Sequence, residues 1–140
     1  MRKTLLFVVF FITVCCMIYS CQNAGEIEQA KYMTGGKDLY TANCQNCHGA
    51  NGEGLGELAP PLTDTTFLKE NKVKLACIIK NGSSEGVVIN GKSYQGKMPA
   101  FSKLHDIDVA QLVVYITNSF SNKQGMYTYE QVAKDLENCK

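Results

Sequence analysis

The stretch Cys44-Gln45-Asn46-Cys47-His48 decides the fold of this chain. Two thiols three positions apart can form thioether bonds to the two vinyl groups of a haem, and the imidazole after the second can supply the proximal ligand to its iron. Cys44 and Cys47 would fix the porphyrin covalently, and the same turn of chain would carry His48 beneath the iron. Two other chemistries use closely spaced thiols. A zinc site wants two further Cys or His at knuckle spacing, and none stands so. A dithiol oxidoreductase carries its CxxC at a strand-to-helix junction of a parallel α/β fold, which the later chain does not suggest. The motif therefore predicts one covalent haem c.

The length of 140 residues is enough for one domain plus a leader. The formal charge of +1 includes Arg2 and Lys3; without them 12 basic residues face 13 acidic ones, so the remainder is near −1. No basic face large enough for a nucleic-acid partner is present. Residues 1–20 have the pattern of an export signal, with Arg2 and Lys3 as its positive start and Leu5 to Ile18 as an apolar run too short for a confident membrane span. Ile18-Tyr19-Ser20-Cys21-Gln22 resembles a bacterial lipobox, in which a lipid is attached to the cysteine and cleavage falls just before it. Cys21 would then be the mature N-terminus, anchoring the protein on the periplasmic side of the bacterial envelope as a membrane-attached lipoprotein. Ordinary cleavage or an uncleaved anchor remains the alternative.

Of seven cysteines, Cys77 and Cys139 are left after the leader, the lipobox and the haem motif take theirs. In an oxidising compartment they could pair. Equally, Cys77 could be a buried small hydrophobe on a helix and Cys139 a free thiol near a frayed end.

Residues 21–34 are polar without sustained periodicity and are expected to form a tether. Gly35 and Gly36 would open a short helix to about Cys44, and Gly36 one turn ahead of Tyr40 would let another helix backbone approach. After His48, four glycines in Gly49 to Gly56 predict a loop, ending in Pro60-Pro61-Leu62. Fixed φ there can aim a carbonyl at His48 Nδ1 so that Nε2 is free for iron, with Leu62 packing on the porphyrin. The spacing from about Glu70 to Lys80 is helical and stops at Asn81-Gly82, and Asn90-Gly91 between two short arms predicts a hairpin. Met98 is followed by Pro99, so helical periodicity does not explain it. Val109, Leu112, Val113 and Ile116 mark the most periodic helix, from His105 to Asn118. Thr128 to Gln131 forms a capping-box pattern for a last short helix ending near Asn138, within a C-terminal extension of residues 122–140.

CxxCH early, Met-Pro about fifty residues later and flanking helices able to cross at a glycine together resemble a class I c-type cytochrome over residues 35–121. That resemblance implies a small all-α fold packed around one haem, with a short hairpin before the distal methionine loop. It assigns the helix crossing to Gly36, Tyr40, Leu112 and Tyr115, the carbonyl on the proximal histidine to Pro60, and the sixth iron ligand to Met98. The run from Val88 to Pro99 looks like the variant in bacterial respiratory cytochrome domains and in cytochrome subunits of dehydrogenases and reductases. The chain has no tryptophan, and Phe120 stands where many relatives carry one, so contacts to the propionate side would fall to Tyr94 or others. Met126 and His105 are the other candidates for the distal ligand. His105 just precedes a helix and Met126 lies beyond the last core helix, whereas Gly96 and Pro99 hold Met98 on an extended path.

The function so implied is a non-enzymatic electron carrier with His48 and Met98 on iron, working between membrane-bound donor and acceptor complexes. A haem sensor or peroxidase-like enzyme with an open distal site is the alternative, and a haem-free thiol oxidoreductase a weaker one.

Overall fold

The computed structural model describes residues 2–22 and 24–139, with the side chains of residues 18–22 outside the described part. Two compact units divide it, Met1–Lys31 and Tyr32–Lys140. In the first unit, helix α1 covers Arg2–Gln22 and exposes its apolar residues from Leu5 to Ile12. Among the described residues, no helix is long and apolar enough to cross a membrane. The lipobox side chains, Cys21 among them, lie outside the described residues.

Helix α2 covers Ala24–Asn43, so the segment expected as an unpatterned tether is helical from Ala24 onward. Periodicity fails there as a guide because the segment has no apolar stripe, yet Glu26, Glu28, Gln29, Ala30 and Lys31 are all good helix formers, and Glu26 in the first turn suits the helix dipole. Tyr32 and Met33 pack on the core of the second unit, which therefore starts three residues before the expected Gly35.

The second unit is built on α6, Asp106–Asn118, in which Val109, Ala110, Leu112, Val113 and Val114 have no exposed surface. Each such Val or Leu contributes about 1.5–3 kcal/mol by leaving water. Helix α2 crosses α6 at Gly36, where an added side chain would strike the Gln111 carbonyl and the Tyr115 Cβ. Tyr40 packs beside the crossing with its ring 5.3 Å from that of Tyr115. A single turn, α3 (Gln45–His48), continues from α2.

Two short helices follow the glycine-rich loop that ends in Pro60-Pro61-Leu62. Helix α4 (Thr65–Glu70) is an element that periodicity did not predict; the Asp64 carboxylate caps it by accepting from the Phe67 N–H at 2.7 Å. Helix α5 covers Lys72–Asn81 and buries Leu75, Ala76 and Ile79. Strands β1 (Val87–Ile89) and β2 (Lys92–Tyr94) pair antiparallel with Val87 opposite Tyr94. Asn90 and Gly91 both take positive φ at the turn, as the Asn-Gly signal requires.

Helix α7 (Tyr129–Glu137) has the expected capping box, with the Thr128 N–H donating to Gln131 Oε1 at 2.9 Å. It buries Val132 in the common core, making the C-terminal segment part of the same compact unit. Cys77 of α5 and Cys139 are joined in a disulfide, which settles the pairing that the sequence left open.

Candidate functional site

The turn α3 sets the geometry of the thiols and the imidazole. The Cys44 carbonyl accepts from the N–H groups of Cys47 and His48 at 3.1 and 3.0 Å, while Cys44 N–H donates to the Tyr40 carbonyl at 2.8 Å. Cys44 is buried, Cys47 is exposed, and both are free thiols. Burial, aided by the neighbouring Cys47, pushes the Cys44 thiol up to about 11.

His48 is 9% exposed, and its Nδ1 lies 2.9 Å from the Pro60 carbonyl oxygen. A carbonyl can only accept, so Nδ1 carries the proton and Nε2 keeps its lone pair. Burial holds the imidazole below the usual histidine range, with the Pro60 hydrogen bond acting in the opposite sense. The result is a neutral ring in a fixed tautomer, which is the form that ligates a metal.

The glycine-rich loop brings Pro60 there. Gly54 N–H donates to the His48 carbonyl at 2.8 Å, and Leu62 N–H donates to the Gly52 carbonyl at 2.8 Å. Gly54 has φ +77, and a side chain on it would meet the backbone of Ala59, Pro60 and Pro61. Tyr40 donates its hydroxyl to the Gly49 carbonyl at 2.7 Å, and the Asn122 amide donates to the Leu62 carbonyl at 2.8 Å. Leu62 is half-buried against the core.

In the hairpin, Tyr94 is buried with the Lys92 ammonium 5.3 Å from its ring centre. The segment after it lies against the proximal loop: Gln95 N–H donates to the Glu57 carbonyl at 3.1 Å, and Gly96 leaves room for the Leu58 carbonyl. Met98 is half-buried against the core. Two reciprocal bonds hold its backbone, from Ser83 N–H to the Met98 carbonyl at 3.0 Å and from Met98 N–H to the Ser83 carbonyl at 2.9 Å. The sequence did not mark Ser83 as the partner of Met98, since Asn81-Gly82 signals only the end of a helix.

The competing ligands sit differently. His105 is an exposed N-cap whose N–H donates to Asp108 Oδ2 at 2.9 Å. Met126 packs on the core in the stretch leading to α7. Phe120 is part of an aromatic trio, its ring 5.2 Å from Tyr40 and 5.7 Å from Tyr115. It holds φ +56, a strained value for an aromatic residue that costs on the order of 1–3 kcal/mol.

Two free thiols on one turn, a neutral imidazole pinned through Nδ1 and a methionine thioether on a tethered loop form a donor set that fits haem c.

Comparison with known proteins agrees with that fit. Residues 32–116 match the family described as cytochrome c oxidase, cbb3-type, subunit III. Cytochrome c-552 of Thermus thermophilus is 27% identical over 108 residues, covering 71% of this chain and 82% of that protein. Cytochrome c6 of Gracilaria tenuistipitata var. liui is 31% identical over 120 residues, 84% of this chain and 96% of its own length. The cbb3-type cytochrome c oxidase subunit CcoP of Azospirillum brasilense is 36% identical over 90 residues, which are 59% of this chain but only 27% of that subunit.

Proposed function

The chain belongs to the matched cytochrome family and is a class I monohaem c-type cytochrome that carries electrons on one covalent haem c; on that premise we propose that His48 and Met98 are its axial ligands and that it shuttles single electrons between membrane-associated respiratory or dehydrogenase and reductase partners. Cys44 and Cys47 hold the porphyrin by thioethers, with Pro60, Leu62 and Tyr94 as its further contacts. Cys21 carries a lipid that keeps the protein on the periplasmic side of a membrane. When bound, the haem supplies a one-electron ferric/ferrous couple. The protein's own residues do the rest. His48 and Met98 would both hold the iron, so no bond would need to form or break as it changes oxidation state, and the Met98 thioether would favour the ferrous form. Docking partners of such carriers hold small, transient surfaces steered by charge.

The observation that carries this reading is the 2.9 Å contact between His48 Nδ1 and the Pro60 carbonyl, which leaves Nε2 as the free ligand atom. The optical spectrum of the oxidised protein tests it. A weak charge-transfer band near the red edge, without high-spin features, and a ferrous form that takes up no carbon monoxide are the expected results. A high-spin spectrum with ready carbon monoxide binding would replace the carrier by the open-site sensor or enzyme.

A further inference from the structure

We infer that Gly82 and Ser83 form a backbone latch that holds Met98 in its ligating position and so sets how often the sixth coordination position stands open. The inference rests on Met98 being the distal ligand. Both backbone polar groups of Met98 are engaged by one residue, Ser83, at 2.9 and 3.0 Å. The following residue is Pro99, which has fixed φ and no N–H, so the peptide on either side of Met98 has little freedom.

Gly82 closes the latch from beneath. At φ +74 it adopts a backbone that side chains rarely tolerate, and a Cβ on it would lie 2.5 Å from the Met98 carbonyl oxygen, 2.8 Å from the Ala100 nitrogen and 2.9 Å from the Pro99 carbonyl carbon. Its neighbours are fixed to the end of α5. Phe101 N–H donates to the Ile79 carbonyl at 3.1 Å. The Lys80 ammonium donates to the Leu104 carbonyl and pairs with Asp106 at 3.1 Å. The loop carrying Met98 is therefore bound at the methionine to Ser83, just past the end of α5, and after the methionine to α5 itself. A side chain at position 82 must push on the Met98 carbonyl or break its bond to Ser83, and either change moves the thioether.

Gly125 supplies a control. It also has positive φ, +72, with nothing within 4 Å of a built Cβ, so alanine there strains the backbone but touches no part of the Met98 loop.

Imidazole titration of the oxidised haem-loaded protein reads the latch, because imidazole reaches iron only when Met98 is off, and its apparent affinity scales with that open fraction. Gly82→Ala should bind imidazole about tenfold more tightly than the parent and show a weakened thioether band, with haem still covalent by denatured mass. Gly125→Ala should lose thermal stability yet keep the parent's imidazole affinity. Parent-like affinity and band in Gly82→Ala would overturn the latch. If Gly82→Ala does not accumulate, hydrogen exchange on the parent carries the test. Saturating imidazole should deprotect the Ser83 and Met98 amides while leaving Val113 unchanged, and unchanged protection at all three overturns the latch. A parent with no thioether band would instead overturn the His48 and Met98 ligation itself.

Discussion

Tyr40 shows how much one side chain does for the proximal side. Its hydroxyl donates to the Gly49 carbonyl while its ring lies against Tyr115 and Phe120. Burial pushes its pKa well above the usual tyrosine range. Burial, followed by the hydrogen bond to Asp135, does the same for Tyr127. The unfolded chain ionises these tyrosines near their ordinary value, about 10, whereas the folded chain keeps them protonated. Stability that is complete below that value is thus lost as pH rises through it. Denaturant unfolding of the haem-loaded protein should show this alkaline fall. Tyr40→Phe should be about 1 kcal/mol less stable at neutral pH and fall less steeply above pH ~10. An equally steep fall in Tyr40→Phe would mean that its hydroxyl is ionised in the folded state.

At the scale of elements, the crossing of α2 and α6 is the joint from which the site hangs. Gly36→Ala should be destabilised by about 1–3 kcal/mol, because the added methyl meets backbone and a Cβ, neither of which can swing away. Thermal unfolding checks it, and a parent-like transition would show that the helices can part at no cost. This joint was legible in the sequence, since Gly36, Tyr40, Leu112 and Tyr115 carry residue-type signals, and so were the hairpin at Asn90-Gly91 and α7 with its capping box. Helix α4 was not legible, for six residues after Asp64 are too few to show a period. Neither was the first half of α2, where helix formers lack an apolar stripe. In the site, a carbonyl aimed at His48 from the Pro60-Pro61 stretch followed from the fixed φ there, and its assignment to Pro60 came from the family resemblance. The hold on Met98 followed from neither, because the bonds from Ser83 join backbone atoms fifteen residues apart and any residue but proline can make them.

For the molecule as a whole, the disulfide and the anchor carry separate predictions. Cys77 and Cys139 close a loop with a sequence separation of 62, so losing the bridge removes about 4 kcal/mol by the loop-entropy estimate. Cys139→Ser should lower the denaturant midpoint accordingly and expose one alkylatable thiol at Cys77 without releasing haem. A midpoint equal to the parent's would mean that packing of α7 alone holds the C-terminal segment. Mass spectrometry of the exported protein should find a lipid on Cys21 at the N-terminus, and a soluble product starting elsewhere would remove the anchor. We propose a one-electron carrier whose iron is held between His48 and Met98. The most direct test is a redox titration with optical detection on Met98→Ala beside Met126→Ala. Met98→Ala should keep covalent haem through Cys44 and Cys47, lose the thioether band, turn partly high-spin and fall in potential, while Met126→Ala keeps the parent's band and potential. A Met98→Ala protein with the parent's spectrum and potential would show that Met98 is not on the iron.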